Sequence, residues 1–380
     1  MKALQIGLEW FPEQGGGLDR VYYDCTRYLP KAGVEIRGLV AGTAGVFKDS
    51  GGLVQAFAPP EASLWQRWLG VRQAVQQLLS EEDYDLVTSH FALYTLPVLD
   101  KLGSRPLVMH FHGPWALESG IEGNQTIATW LKKILEQTVY QRATDFIVLS
   151  QAFRNILHQE YRVPLERIHI VPGGVDIDRF DSNLPRTGAR SKLGWPEDRP
   201  IIFVVRRLVQ RMGLENLISA IAQVRQQYPE VLLLIAGKGS LKPTLQAQIE
   251  KLGLVEQVRL LGFVSEQDLG LAYRAADFSV VPTVALEGFG LIVIESLAAG
   301  TPVLGTPVGG IPEILQPFSK DLVFEGTSVD QLAQGLLEVL SGKRQLPSSQ
   351  ACRAYVQEHY SWPVIAQKIK EVYQAAIDGK

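Results

Sequence analysis

Two glutamates, Glu287 and Glu295, bracket the run Gly288-Phe289-Gly290-Leu291, and this is the strongest chemical signal in the chain. Glycines let backbone N–H groups come close to a ligand. The apolar run from Leu291 predicts a helix whose N-terminus carries roughly half a positive charge, suited to phosphate. Carboxylates, which only accept hydrogen bonds, suit the clustered hydroxyls of a sugar or ribose. A plain strand–turn–helix junction with a surface glutamate at either end fits the same spacing. Upstream, Arg206, Arg207 and Arg211 follow an apolar strand candidate and offer guanidinium groups matched to a diphosphate. A solvated basic loop is the alternative there. Gly237-Lys238-Gly239 and Gly262-Phe263-Val264-Ser265 supply two further strand-to-helix turns, with Ser265 in the position of an N-cap.

The first half holds a second set. Gly15, Gly16 and Gly17 lie between a strand candidate and a helix from Leu18, where freely oriented amides could face an anion. A flexible turn without a ligand fits as well. His110 and His112 end another strand with side chains on one face. Two imidazoles could begin a metal site, but no third or fourth ligand is legible beside them, so no metal is assigned. A single histidine at a binding edge is the preferred reading, against two partly buried, hydrogen-bonded rings. His90 also ends a strand and is a weaker candidate of the same kind. Asp83-Tyr84-Asp85 and Asp176-Ile177-Asp178 read as caps and turns.

Short apolar runs alternate with amphipathic stretches, the pattern of βα units with mostly parallel sheets. Strands are expected at Ala3–Leu8, Val34–Val40, Leu86–Ser89, Leu107–Phe111, Phe146–Leu149 and Ile168–Val171. A second series runs through Ile201–Val205, Val231–Ala236, Val258–Leu261, Phe278–Val281 and Pro302–Leu304. Between the series, Pro172-Gly173-Gly174-Val175-Asp176 and then Phe180 to Arg199, poor in apolar periodicity, form the linker candidate. Trp362 to Ile377 predicts a terminal amphipathic helix.

With 380 residues the chain suits two domains rather than one core. A net charge of -3 excludes a broad electrostatic attraction for nucleic acid. Two distant cysteines, Cys25 and Cys352, fit a reduced compartment and a cytoplasmic location. No window offers about eighteen uninterrupted apolar residues, so no spanning helix is expected. Peripheral membrane contact on the cytoplasmic face stays open, because an amphipathic face leaves a weaker mark.

Together these segments resemble glycosyltransferase family 4, the retaining GT-B enzymes. The likeness rests on Gly15–Gly17, Phe111-His112-Gly113, Val171-Pro172-Gly173-Gly174-Val175-Asp176, Arg207-Leu208, Gly237-Lys238-Gly239, Glu287–Glu295, Gly300-Thr301-Pro302-Val303 and Gly309-Gly310-Ile311-Pro312-Glu313, in family order. It implies two Rossmann-like doubly wound domains facing across a cleft. Residues 1–173 with 362–380 would form an acceptor-binding domain, its last helix crossing back, and residues 174–361 a donor-binding domain. Glu287 would contact the transferred sugar, Glu295 the ribose, and the amides of Phe289, Gly290 and Leu291 the sugar and diphosphate. Arg207 would neutralise the leaving diphosphate, with Arg206 beside it. His112 would border the sugar, Gly16 and Gly17 would approach the phosphates, and the base would lie near Val264.

Two departures stand out. Arg206 replaces a usual glycine, and Met212 replaces a usual lysine, for which Arg211 is the expected substitute. The resemblance implies a metal-independent hexosyltransferase without a cofactor, using a UDP- or GDP-linked co-substrate, UDP-hexose ahead of GDP-mannose. The acceptor would be a glycan, a lipid-linked sugar or a small molecule, shaped by residues 44–66 and 114–130. A nucleotide-sugar epimerase of the same fold and a non-catalytic two-lobed sugar-binding protein are the competing readings.

Overall fold

The structure is a computed structural model that describes residues 1–122, 127–181 and 184–379. Residues 123–126, within the 114–130 stretch expected to shape the acceptor site, and 182–183, within the linker candidate, lie outside the described residues. The chain divides into two compact units. One is Met1–Gly174 with Trp362–Lys380, the other Val175–Ser361.

The first unit is built on seven parallel strands. They are β1 (Lys2–Glu9), β2 (Glu35–Ala41), β3 (Val54–Ala58), β4 (Leu86–Ser89), β5 (Leu107–Phe111), β6 (Asp145–Val148) and β7 (Ile168–Ile170), in the order β3-β2-β1-β4-β5-β6-β7. Central strands of a parallel sheet are covered on both faces and read as unbroken apolar runs; β5 is buried at every position. The strand β3 was not expected from the sequence. It is a short edge strand inside 44–66, and its partly exposed Gln55 and Ala56 blur the apolar signal. The last helix, Trp362–Asp378, packs in this unit, with the Trp362 ring stacked on Tyr28 at 5.7 Å.

The second unit has five parallel strands, β8 (Ile201–Val205), β9 (Leu232–Ala236), β10 (Val258–Gly262), β11 (Phe278–Val281) and β12 (Val303–Gly305), in the order β10-β9-β8-β11-β12. Each unit has its own large apolar core. The division at Gly174 and Val175 falls in the first part of the linker candidate, while its second part, Phe180 to Arg199, needs correction. It contains the helix Arg186–Leu193, whose Arg190 is buried and donates to the carbonyls of Ala275, Glu197 and Arg199 and to the Asp277 carboxylate at 2.7 Å. A buried, fully engaged arginine ties this segment to the second unit, so apolar periodicity was the wrong signal to look for.

Candidate functional site

The loop after β11 is the most constrained part of the second unit. Leu286 sits at φ 49, a left-handed conformation that costs a branched side chain energy and must be held by its surroundings. Arg211 donates to the Leu286 carbonyl at 2.8 Å, and the Val284 amide donates back to the Arg211 carbonyl at 3.0 Å. The Glu287 carbonyl accepts from the Gly310 amide at 3.1 Å; a Cβ on Gly309 would lie 1.8 Å from that carbonyl, so only glycine fits there. Gly290, at φ 92, then opens the helix Leu291–Ala298, which no side chain caps. The Val293 amide donates to the Gly290 carbonyl at 2.8 Å, and the amides ahead of it, with no side-chain cap, suit an anion or water. Phe289 is buried, its ring 5.9 Å from Tyr360, which anchors the turn beside those amides.

The carboxylates differ in their partners. Glu287 accepts from Arg206 Nη2 and, at 3.2 Å, from the Thr283 hydroxyl; Thr283 is itself fully buried and its carbonyl accepts from Thr306 at 2.6 Å. Glu295 lies 3.5 Å from the Tyr273 hydroxyl, a weak contact. Burial, then the Glu295 charge, raises the Tyr273 phenol well above its ordinary range, while Arg206 acts in the opposite direction. Arg206 thus bears electrostatically on the surroundings of both glutamates.

The three arginines grouped by sequence have separate places. Arg207 is exposed at the end of β8, Arg206 is turned inward to Glu287, and Arg211 is buried under Leu286. Met212 is packed in the apolar core. Gly237, at φ 146, gives its amide to the Gly262 carbonyl, and a Cβ there would lie 1.8 Å from the Arg206 carbonyl. Its requirement for glycine is thus already met by packing. Val264 is half-buried, and Ser265 caps the helix Glu266–Ala275 through the Asp268 amide, as its sequence position suggests. Beside Val264, Phe263 is 68% exposed with Lys238 Nζ 4.9 Å from its ring centroid.

In the first unit the strand ends bring three imidazoles together. His90 and His110 stack at 4.1 Å, and His90 Nδ1 lies 2.9 Å from His112 Nε2. His90 is therefore the third imidazole that sequence spacing did not place beside the pair, and the potential ligand atoms lie within 4.8 Å of one another. The rings, however, are near parallel, at 10° to 20°. In-plane lone pairs of parallel rings do not converge on one point, and the nitrogens are engaged elsewhere. The Gln5 side-chain amide donates to His90 Nε2 at 2.8 Å, which leaves the His90 proton on Nδ1 to donate to His112. His112 then carries its own proton on Nδ1. His110 Nε2 pairs with the Tyr373 hydroxyl of the last helix at 2.7 Å. Burial lowers the pKa of His112 to about 4, and burial plus neighbouring rings take His90 and His110 well below their ordinary value. All three are neutral at pH 7. Nearby in sequence, Gly16 is the extended N-cap of the helix Gly17–Tyr28, and its missing Cβ leaves room for the Asp19 carboxylate, which accepts the Glu9 amide at 3.0 Å.

Two parallel-sheet α/β units, with a carboxylate–arginine loop ahead of an uncapped helix, define the GT-B class of glycosyltransferases. Residues 15–179 match the model described as Glycosyltransferase Family 4, and residues 185–359 match Glycosyl transferases group 1. The chain belongs to glycosyltransferase family 4. A GDP-mannose-dependent monoacylated alpha-(1-6)-phosphatidylinositol monomannoside mannosyltransferase of Corynebacterium glutamicum is 33% identical over 214 residues, 54% of this chain and 55% of that protein. The matched part is thus little more than half of that relative. A D-inositol 3-phosphate glycosyltransferase of Streptomyces scabiei is 28% identical over 82% of this chain and 71% of its own length. Among solved structures, sucrose-phosphate synthase from Thermosynechococcus elongatus superposes with a TM-score of 0.81 at 21% identity, covering 100% of both chains. HepE from Anabaena in complex with UDP-glucose gives 0.79 at 22%, covering 99% of this chain and 100% of the other. At such identities these structures speak for the fold. No helix among the described residues is long and apolar enough to cross a membrane.

Proposed function

We propose that this chain transfers a hexosyl group, with retention, from a nucleotide sugar to a hydroxyl of a glycan, a lipid-linked sugar or a small acceptor. The observation that carries the proposal is the loop Thr283–Gly290. It holds Glu287 by four separate restraints and delivers the chain into an uncapped helix N-terminus with Glu295 one turn further on. In this reading Glu287 meets the sugar hydroxyls, Glu295 the ribose, and the amides of Phe289, Gly290 and Leu291 the diphosphate. Arg207, exposed at the end of β8, takes the leaving-group charge. The bond between C1 and the diphosphate oxygen breaks as the acceptor oxygen bonds C1 on the same face. The acceptor's proton passes to the departing phosphate. Guanidinium and helix amides stabilise that charge electrostatically, so the scheme calls for no metal and no cofactor beyond the co-substrate.

A UDP-hexose is the first choice of donor. GDP-mannose is the second, favoured by the name of the Corynebacterium glutamicum relative. Melting the protein with each sugar nucleotide tests this, because a ligand of the folded state at about a hundredfold its Kd adds about 2.7 kcal/mol. Arg207→Ala should melt normally without ligand, Glu287→Gln should melt lower because it leaves the buried Arg206 uncompensated, and both should bring transfer to acceptor down. Near-normal turnover in both would sink the assignment.

A further inference from the structure

The first unit carries an apolar face that its core does not use. On the helix Ile127–Arg142, Val139 and Tyr140 point into the core, whereas Ile127, Trp130, Leu131 and Ile134 face solvent, from 38% exposed at Ile134 to 80% at Ile127. Their spacing of i, i+3, i+4 and i+7 makes one continuous stripe on the helix's outer side. The helix Leu64–Glu81 repeats the arrangement: Val71, Val75 and Leu78 are buried, while Leu64, Trp65 and Leu69 are exposed, Trp65 at 72%.

Topology puts these stripes together. The connections from β3 to β4 and from β5 to β6 step across the sheet in the same direction. Right-handed crossovers then place both helices on the same sheet face, and the buried residues of both share one core. A chain of side chains links them: Arg67 donates to Tyr94 at 2.8 Å, Phe91 lies 5.3 Å from Trp115, and Lys132 Nζ sits 4.5 Å from the Trp115 ring centroid. Each crossover helix also begins at the strands' C-terminal edge, so residues 64–69 and 127–134 lie at the edge where β5 delivers His112.

We propose that this face docks on an anionic lipid bilayer. Apolar patches of this kind on one side of a unit mark an interaction surface rather than ordinary exposure. Tryptophan, apolar in body with a polar N–H, is the residue that settles at a bilayer interface. The charge pattern selects the partner. Through residues 64–80 and 127–135 the ionisable side chains are Arg67, Arg72, Lys132 and Lys133, with no acid, in a chain whose net charge is -3. Arg67, Arg72 and Lys133 meet Glu9, Asp100 and Glu160, which lie on neighbouring elements and outside both stripes. Cations flanking an exposed Trp–Leu–Ile stripe complement anionic headgroups over acyl chains.

Flotation of the full chain with vesicles tests this, and it needs neither donor nor acceptor. It therefore fails or succeeds separately from the transfer reaction. The protein should float with vesicles of equal parts phosphatidylcholine and phosphatidylglycerol, less well as salt is raised, and weakly with phosphatidylcholine alone. The pair Trp65→Gln and Trp130→Gln should lower the partition coefficient by about tenfold or more while the melting temperature holds, since both side chains are exposed. Absence of flotation, or equal flotation of the variant, overturns the proposal. Concentration-dependent self-association that the same substitutions abolish, without vesicle binding, also overturns it and gives the face to a second copy.

Discussion

Arg206→Met is the sharpest probe of the donor loop. Arg206 and Glu287 are both about nine-tenths buried, at 9% and 11% side-chain exposure. Charges roughly 4 Å apart at an effective dielectric of about 20 attract by about 4 kcal/mol. Removing one member of a buried pair costs about 3–5 kcal/mol, because the other is left uncompensated. The Thr283 hydroxyl remains on Glu287, so the lower end applies. A loss of about 3 kcal/mol lowers the melting temperature of a unit this size by about 6–12 °C. If the pair also holds Glu287 where the transition state needs it, kcat/KM falls by about 10²-fold.

The assay is nucleotide release in Arg206→Met, Glu287→Gln and the double variant. The two changes should couple by about 2 kcal/mol, the double variant being little worse than the single ones. Additivity within about 0.5 kcal/mol would refute the reasoning. So would a pure rise in donor KM for Arg206→Met, which is what a diphosphate ligand, as the sequence grouping suggested, would give.

Two other consequences can be measured. Burial raises the Glu136 carboxyl from 4.5 to about 7, against hydrogen bonds from Tyr161, the Ala116 and Trp115 amides and Tyr140. A folded value above the unfolded one means this group favours the folded state most at low pH, and that contribution is lost as pH rises toward 7, by about 3 kcal/mol. The lowered histidines slope the opposite way and cancel when Glu136→Gln is compared with the parent. The variant's melting temperature should therefore lose less between about pH 5 and about pH 8 than the parent's, and parallel curves would contradict the assignment. Separately, Phe263→Ala should weaken UDP and GDP binding by about fivefold, corresponding to about 1 kcal/mol of aromatic contact; calorimetry showing both affinities unchanged would remove Phe263 from the site.

Much of the fold was legible because parallel strands announce themselves. Leu86–Ser89, Leu107–Phe111, Ile201–Val205 and Phe278–Val281 have the bounds their apolar runs predict. What escaped lacked that signal. The edge strand Val54–Ala58 mixes exposed and buried positions, and the helix Arg186–Leu193 is fixed by Arg190 and Asp277 rather than by an apolar stripe. The helix Ser349–Tyr360 also went unmarked; it buries only Cys352, Val356 and Tyr360. For the candidate site, glycine spacing located the loop and its helix. It could not give the stacking of His90 on His110, because β4 and β5 are neighbours only in the folded sheet.

The arginines show why residue type and proximity along the chain were insufficient. Residues adjacent at a strand end point to opposite sides, so Arg206 and Arg207 cannot line the same phosphates in the same way. One turns inward and meets Glu287, and the other stays exposed. Four residues on, Arg211 lies under the left-handed Leu286 and holds its carbonyl, while Met212 fills the core. A lysine at 212 would have to leave that core to reach a ligand. The two departures from the family pattern therefore have one physical sense: cations at 206 and 211 brace the loop that carries Glu287 by its side chain and by its backbone. Arg207 is the exposed arginine of the three.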